Sequence, residues 1–420
     1  MPVSSPPIHA LGPGLRRLVL RIAGAGLVGT LAAALVASGS AAAGQAAGQA
    51  PATGPAHASA TWHRSTLYVA TWGNDGWPCS FHRPCLTIQH AVDRADPGST
   101  IKVRTGTYHE QVIIEKKLTL VGDHATIDAD GLAAPIEPLA SQGIAGYGVL
   151  IFGPDSKGTS FSGFTVKNAT GEGILAALTS KLSIRKNHLV HNDQGVGTAA
   201  TVECQDQGDE PGDCGEALHL VAVTWSRVTE NVVEHNVGGI LLTDELGPTA
   251  HNVIGWNVSA WNLEDCGITL PSHNGDALTD PSAAGVYDNW VIGNLSEHNG
   301  GAGIGLFAPL PGASAYDNHV INNAVIDNGE AGIAIHAHTS QENLSGNEMI
   351  GNVVSGNGVD ADSGSPYAHN GIVVFSVDPQ DVTVAHNWIL HEDAGVYRSG
   401  PVTVHGLTTN HFFHVAHHVV

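Results

Sequence analysis

Asparagine recurs five residues apart, in threes, through the second half of the chain. The sets are Asn252, Asn257 and Asn262; Asn289, Asn294 and Asn299; Asn318, Asn323 and Asn328; Asn347, Asn352 and Asn357. Partial sets precede them at Asn187 and Asn192 and at Asn231 and Asn236, and a remnant follows at Asn387. Aliphatic pairs such as Val253-Ile254, Val291-Ile292, Val320-Ile321 and Met349-Ile350 fill the intervals. After each set come a glycine, an Ile, a spacer and an aliphatic residue, as in Gly239-Ile240-Leu241-Leu242, Gly267-Ile268-Thr269-Leu270, Gly303-Ile304-Gly305-Leu306, Gly332-Ile333-Ala334-Ile335 and Gly371-Ile372-Val373-Val374. This is period-two alternation in very short strands separated by turn residues. Self-similarity of this kind marks a solenoid.

One such coil cannot bury its own apolar face. Stacked at ~4.8 Å per strand, successive coils pair their backbones and pool their Ile, Val and Leu into one core. Asparagine suits the corners because it tolerates the left-handed conformation and its amide can bond to the asparagine one coil away. His235, His298, His319 and His386 read as residues of the same corner turns. Helical solenoids would show helical periodicity between the strands, and propeller blades would need four strands per repeat without an asparagine ladder. The expected fold is all-β, a right-handed parallel β-helix over residues 65–420, its hand following from the preference of strand crossovers.

The start of that region carries Tyr68-Val69-Ala70, Gly73-Asn74-Asp75-Gly76, Leu86-Thr87-Ile88-Gln89-His90-Ala91-Val92, Pro97-Gly98-Ser99-Thr100-Ile101-Lys102-Val103 and Gly106-Thr107-Tyr108. It resembles the opening of secreted right-handed β-helix proteins of the pectin-lyase-like superfamily. That resemblance implies that the Thr-Ile-Gln-x-Ala stretch is a short helix capping the open end of the solenoid. The residues agree: Ile88, Ala91, Val92 and Ala95 share one helical face, and Asp96-Pro97-Gly98 stops the helix. A cap is needed because an open coil exposes unpaired strand edges. The later coils resemble the repeats of the same superfamily, which specifies fold more than activity.

Upstream, Arg16, Arg17 and Arg21 precede an uncharged Ala/Leu/Val/Gly run from Ile22 to Ala37, followed by Ala41-Ala42-Ala43. This is the three-part pattern of an export signal over residues 1–43, and the apolar run is short for a membrane span. Residues 44–64 read as a flexible linker. The expected location is secreted or extracellular, with periplasm or cell surface as variants and no membrane association after cleavage. Two local disulfides are expected in an exported chain, Cys79 with Cys85 and Cys204 with Cys214, leaving Cys266 as a buried small hydrophobe. The formal charge of −22 argues against nucleic acid and anionic membranes as partners. A polyanionic glycan would need Ca²⁺ or a local basic groove, and Lys167, Arg185, Lys186 and Arg227 offer one basic patch. The chain is expected to be a monomer.

Solenoids place insertions on one face, often the binding face. Counted from the repeat glycine, the fourth position holds Thr243, Pro271, Phe307, His336 and Phe375, and the sixth holds Glu245, His273, Pro309, His338 and Val377. With Ile and Leu inward, both positions point outward. They form a stripe in which Glu245 and His273 lie about 5 Å apart, with His338 about 10 Å farther along. Asp244, Glu245, His273, His336 and His338 are the candidate catalytic residues, because His with Asp or Glu can move protons. Phe307 and Phe375 can stack on sugar faces, and the insertion from His273 to Ala284 contributes Asp276 and Asp280 as a groove wall. His336-Ala337-His338 also has the spacing of a metal-binding pair, without a third ligand at convincing spacing. His411, His414, His417 and His418 read as a frayed end or cap.

The resemblance implies a polysaccharide lyase, a uronate epimerase or a glycoside hydrolase, and the sequence departs from each pattern. The stripe lacks the Lys or Arg that would neutralise a uronate. Asp378-Pro379-Gln380 lacks the histidine of the epimerase Asp-Pro-His motif. No Asp-Asp pair stands where polygalacturonase-type hydrolases carry one, Asp244-Glu245 being the nearest substitute. The expected function is therefore a secreted carbohydrate-active β-helix protein acting on a polysaccharide. The alternative is a non-catalytic exported β-helix serving as a surface binding or accessory protein. A copper-delivery role is weak with only two methionines.

Overall fold

A computed structural model describes residues 65–132, 146–192 and 216–420 of the chain. The export signal, the linker and Cys204 and Cys214 lie outside the described residues. Residues 64–420 form one compact unit. Strands begin at Thr66–Val69 and every pairing between named strands is parallel, from the first coil to the last strand, His417–Val419. The fold is the right-handed parallel β-helix expected from the repeat.

Each regular coil contributes three short strands, as in Gly238–Thr243, Val253–Gly255 and Val258–Ala260. The glycine-led strands stack into a front sheet whose inward residues continue in register: Ile240, Ile268, Ile304, Ile333 and Ile372 pair one above the next. Together with Leu218, Leu242, Leu270, Leu306 and Ile335 they form the central core, all fully buried. The repeat glycines are required by close approach. A Cβ on Gly239, Gly267, Gly303, Gly332 or Gly371 would collide with the glycine carbonyl of the next coil. The other two strands of each coil form the second and third faces.

The asparagines are buried at the corners. Asn257 Nδ2 donates to Asn294 Oδ1 at 3.0 Å and Asn294 Nδ2 to Asn323 Oδ1 at 3.0 Å, while each Oδ1 also accepts the backbone N–H of the asparagine one coil earlier. The middle ladder runs from Asn187 through Asn231, Asn257, Asn294, Asn323, Asn352 and Asn387 to Asn410. Except before Asn410, the residue preceding each ladder asparagine takes the left-handed conformation, His235, His298 and His386 among them. His319 does not: Asp317 occupies that corner, Asn318 the ladder, and His319 opens the strand His319–Ile321.

The cap helix is Ile88–Arg94, N-capped by the Thr87 hydroxyl, with Ile88, Ala91 and Val92 buried against the first coils. Glu110 accepts the Ile88 and Gln89 N–H groups at 2.8 Å, satisfying donors that a helix start leaves unpaired. Cys79 and Cys85 are disulfide-linked beside this cap, and Cys266 is a buried free thiol packed with Ala302 and Ala331. The C-terminal histidines are not a frayed end. His411–Phe413 and His417–Val419 complete a final coil, where His414 stacks on His391 and His418 on Phe412. No helix among the described residues is long and apolar enough to cross a membrane.

Candidate functional site

The outward stripe has the expected register. Pro271, Phe307, His336 and Phe375 are successive cross-strand partners on the front sheet. Outward is not the same as exposed, however. Thr243, Asp244, Pro271 and His336 are buried, because insertions between the third face and the front sheet, and after the front sheet, fold over them.

Glu245 and His273 come together as the spacing requires. Glu245 Oε1 lies 2.7 Å from His273 Nδ1, and the His273 side chain is 8% exposed. Burial would raise the Glu245 pKa, but the hydrogen bond and charge of His273 and the charge of His219 override it and hold the carboxyl at about 2. A carboxylate only accepts, so the His273 ring donates to it from Nδ1. The pair does not stand alone. His219 lies with Nδ1 3.0 Å from Glu172 Oε1 and Nε2 2.8 Å from Thr243 Oγ1, and Thr243 in turn bonds Glu245. A polar path thus crosses four coils from Glu172 to His273.

Asp244 has a different task. Its Oδ1 accepts the His273 N–H, and its Oδ2 accepts the Ser272 hydroxyl and the Gly285 N–H, each at 2.7 Å. It clamps both ends of the insertion that follows Pro271, and burial lifts its pKa to about 6. With both oxygens engaged and no solvent exposure, it positions His273 and is not placed to touch a substrate. Asp276 lies exposed at the outer part of that insertion, where Asn274 Oδ1 accepts its N–H. Asp280 is likewise exposed and bonds within its own turn.

Farther along the stripe, the His336 ring packs between Phe307 at 5.4 Å and Phe375 at 6.0 Å, and the His338 ring stands 5.5 Å from His336 and 5.8 Å from Phe375. Phe307 and Phe375 are partly exposed. Asp360, in the insertion of residues 356–369, places Oδ2 3.1 Å from His336 Nε2. Sequence spacing had left His336 and His338 without a further acidic neighbour; Asp360 and Asp362 arrive through this insertion, which no local pattern announces. Of the four basic residues, Lys167 pairs with Asp128 at 3.0 Å and Lys186 with Glu230 at 3.4 Å, while Arg185 and Arg227 are exposed on adjacent strands. Nor is there an all-oxygen group suited to Ca²⁺ among the close donor triads of the described residues; one triad contains the disulfide cysteines and the other two imidazoles.

A second surface escaped the sequence reading. Trp225, Trp256 and Trp290 are exposed on the second face and its corners, Trp225 by 60%. Trp225 stacks on His251 at 4.2 Å and Trp290 lies 4.3 Å from His319. Between them runs a chain of acid–histidine contacts. His251 Nδ1 is 2.6 Å from Asp288, whose other oxygen is 3.5 Å from His319 Nε2, and His319 Nδ1 is 2.9 Å from Glu348. The signal was available. Trp225 and Trp256 occupy left-handed corners, with φ of 57° and 55°, where a bulky residue is disfavoured and a glycine or asparagine would serve the fold better.

No family model matches the chain, and no curated protein matches it. Among solved structures it is similar to the A-module of a mannuronan C-5 epimerase from Azotobacter vinelandii (12% identity, 79% of this chain and 90% of that one, TM-score 0.48). It is similar also to a pectate lyase (14%, 83% and 78%, 0.41) and to a surface adhesin of Streptococcus pneumoniae (12%, 78% and 86%, 0.41). The fold is a parallel β-helix, established by the strand pairing itself. At these identities and scores the likenesses carry no activity to this chain.

Proposed function

We propose that this protein is an exported polysaccharide-binding β-helix that acts on its glycan by proton transfer at the Glu245–His273 pair. The observation that carries the reading is the set of exposed indoles on adjacent coils, Trp225 and Trp256 at left-handed corners where the fold gains nothing from tryptophan and Trp290 opening the strand Trp290–Ile292. Indole faces stack on the apolar faces of sugar rings, while hydroxyls reach flanking acids and imidazoles. His251, Asp288, His319 and Glu348 supply such partners beside the rings. Export is supported by the Cys79–Cys85 disulfide, a bond that forms and persists mainly in oxidising compartments, and by the N-terminal charge and hydropathy pattern.

For the chemistry, Glu245 remains ionised at any physiological pH and fixes the His273 tautomer, as a carboxylate orients a general base. Nε2 would take or return the proton. The absence of a basic residue among the stripe positions fits a neutral or weakly charged sugar better than a polyuronate.

The test is a panel of neutral and acidic polysaccharides, read for unsaturated-uronate absorbance, reducing ends and binding. His273→Ala should abolish turnover, by about 10²–10⁴-fold for a lost general base, and leave binding in place. Trp290→Ala, a surface change, should leave thermal stability within about 0.5 kcal/mol and weaken binding. Turnover untouched by His273→Ala refutes the reacting pair. Binding without any turnover makes the protein an accessory or adhesive β-helix, and no binding to any glycan refutes the proposal.

A further inference from the structure

The cluster at His336 has a chemistry that the saccharide reading does not use. His336 closes the strand Ile333–Ala337 near its end, 2% exposed, with both ring nitrogens buried and outside any hydrogen bond, Nε2 standing 3.1 Å from Asp360 Oδ2 as an acid–imidazole contact. An imidazole nitrogen sealed in this way costs free energy unless something ligates or bonds it. His338 follows two residues on, at the spacing that returns a side chain to the same side of a strand. Asp362 reaches the same place from the insertion of residues 356–369. One donor atom from each of His336, His338 and Asp362 lies within 4.8 Å of the others.

We propose that His336, His338 and Asp362 bind one divalent transition-metal ion, with Zn²⁺ as the representative. Two imidazoles and a carboxylate are borderline donors that suit Zn²⁺ and its neighbours, whereas Ca²⁺ takes six or more oxygens. Three protein ligands leave one position of a tetrahedral ion for water or a ligand oxygen. Bonds of about 2.0–2.2 Å bring ligand atoms to within about 4.4 Å of each other, so a small adjustment of the exposed Asp362 closes the set.

The surroundings support the assignment. Asp360 Oδ2, 3.1 Å from His336 Nε2, stands beside the cluster as a carboxylate of the kind that orients a ligating histidine. Asp360 is itself anchored, its Oδ1 accepting the Ser363 N–H at 3.0 Å. Phe307 and Phe375 wall the cluster on the coils to either side, holding the rings and limiting water. The insertion therefore delivers one ligand and one orienting carboxylate from a single turn, Asp360-Ala361-Asp362.

The experiment is calorimetric titration of the chelator-treated full chain with Zn²⁺, alongside Co²⁺ as a spectroscopic probe of coordination. With 25 histidines in the chain, saturable uptake does not by itself locate the ion, so variants decide. His336→Ala empties a buried position, so the partly exposed His338→Ala and the exposed Asp362→Asn are used in its place. The expected result is one high-affinity equivalent in the parent, with a tetrahedral Co²⁺ spectrum and a raised melting temperature. All three should be lost in His338→Ala and Asp362→Asn, whose metal-free melting temperatures stay at the parent value. Asp360→Asn should weaken binding about 10–100-fold, as for a lost orienting partner. Unchanged Zn²⁺ affinity in both ligand variants, no stoichiometric step in the parent, or displacement of Zn²⁺ by equimolar Ca²⁺ would overturn the proposal. None of these readouts depends on glycan turnover.

Discussion

Glu392 stands where the third ladder would place an asparagine. Its Oε1 accepts both the backbone N–H and the Nδ2 of Asn357, at 3.1 and 3.0 Å, while Oε2 is buried without a partner. Burial pushes its pKa up to about 8. The folded protein therefore keeps a proton that the unfolded chain releases near the ordinary glutamate value of 4.5. A raised carboxyl destabilises the fold as pH rises through that window and adds no further change above it. Asp244, lifted to about 6, acts in the same direction over the lower part of the range. The melting temperature of the parent should fall as pH is raised from about 4.5 to about 8. Glu392→Gln, which keeps the accepting oxygen, should flatten most of that slope in a pH series of thermal melts. An undiminished slope would locate the effect elsewhere. None of this was readable in advance: the remnant after Asn357 was visible only at Asn387, and a glutamate gives no hint of a ladder position until the coils are stacked.

At the scale of strands and loops, the sequence was most legible where geometry is forced. The glycine, the inward aliphatics and the five-residue asparagine spacing each follow from close approach, burial or a corner. Hence the register of Pro271, Phe307, His336 and Phe375 came out as expected. Glu245 and His273 met for the same reason. What failed was exposure. Alternation says which way a side chain points, but whether an insertion lies over it depends on the path of that insertion. Thus Asp244 became a clamp and His336 a buried ring, while Asp360 and Asp362 were unforeseen. The corner tryptophans were passed over because corner residues were assigned to structure as a class. The ladder itself makes a sharp prediction. Asn294 donates Nδ2 to the Ile254 carbonyl and to Asn323, and its Oδ1 accepts from Asn257 twice. Asn294→Ala leaves several of these groups buried and unpaired, at about 1–3 kcal/mol each. A loss of at least about 3 kcal/mol in urea-unfolding free energy is expected, since partial relaxation recovers some of the total. A loss below about 1 kcal/mol would mean that water replaces the side chain.

Over the whole molecule, each coil touches chiefly its neighbours, so stability is close to a sum of coil and interface contributions. A charge of −22 is spread over this extended surface, and its self-repulsion opposes the compact state. Added salt screens exposed charges beyond about 10 Å at 0.1 M. Melting temperature should therefore rise from low to moderate NaCl at neutral pH, and a flat or falling response would show that the attractive acid–histidine pairs outweigh the repulsion. The ladders have one more consequence at this scale. In the middle and third ladders, side-chain amides repeatedly point Nδ2 toward the next coil and Oδ1 toward the previous one, as at Asn257, Asn294 and Asn323 or at Asn262, Asn299 and Asn328. Amide dipoles aligned head to tail add, as peptide dipoles do in a helix, and hydrogen bonds in such chains polarise one another. The stacked coils thus carry columns of like polarity along their axis, positive toward the C-terminal coils. The third column ends there on the carboxyl group of Glu392, an anion-forming group at the pole that favours one.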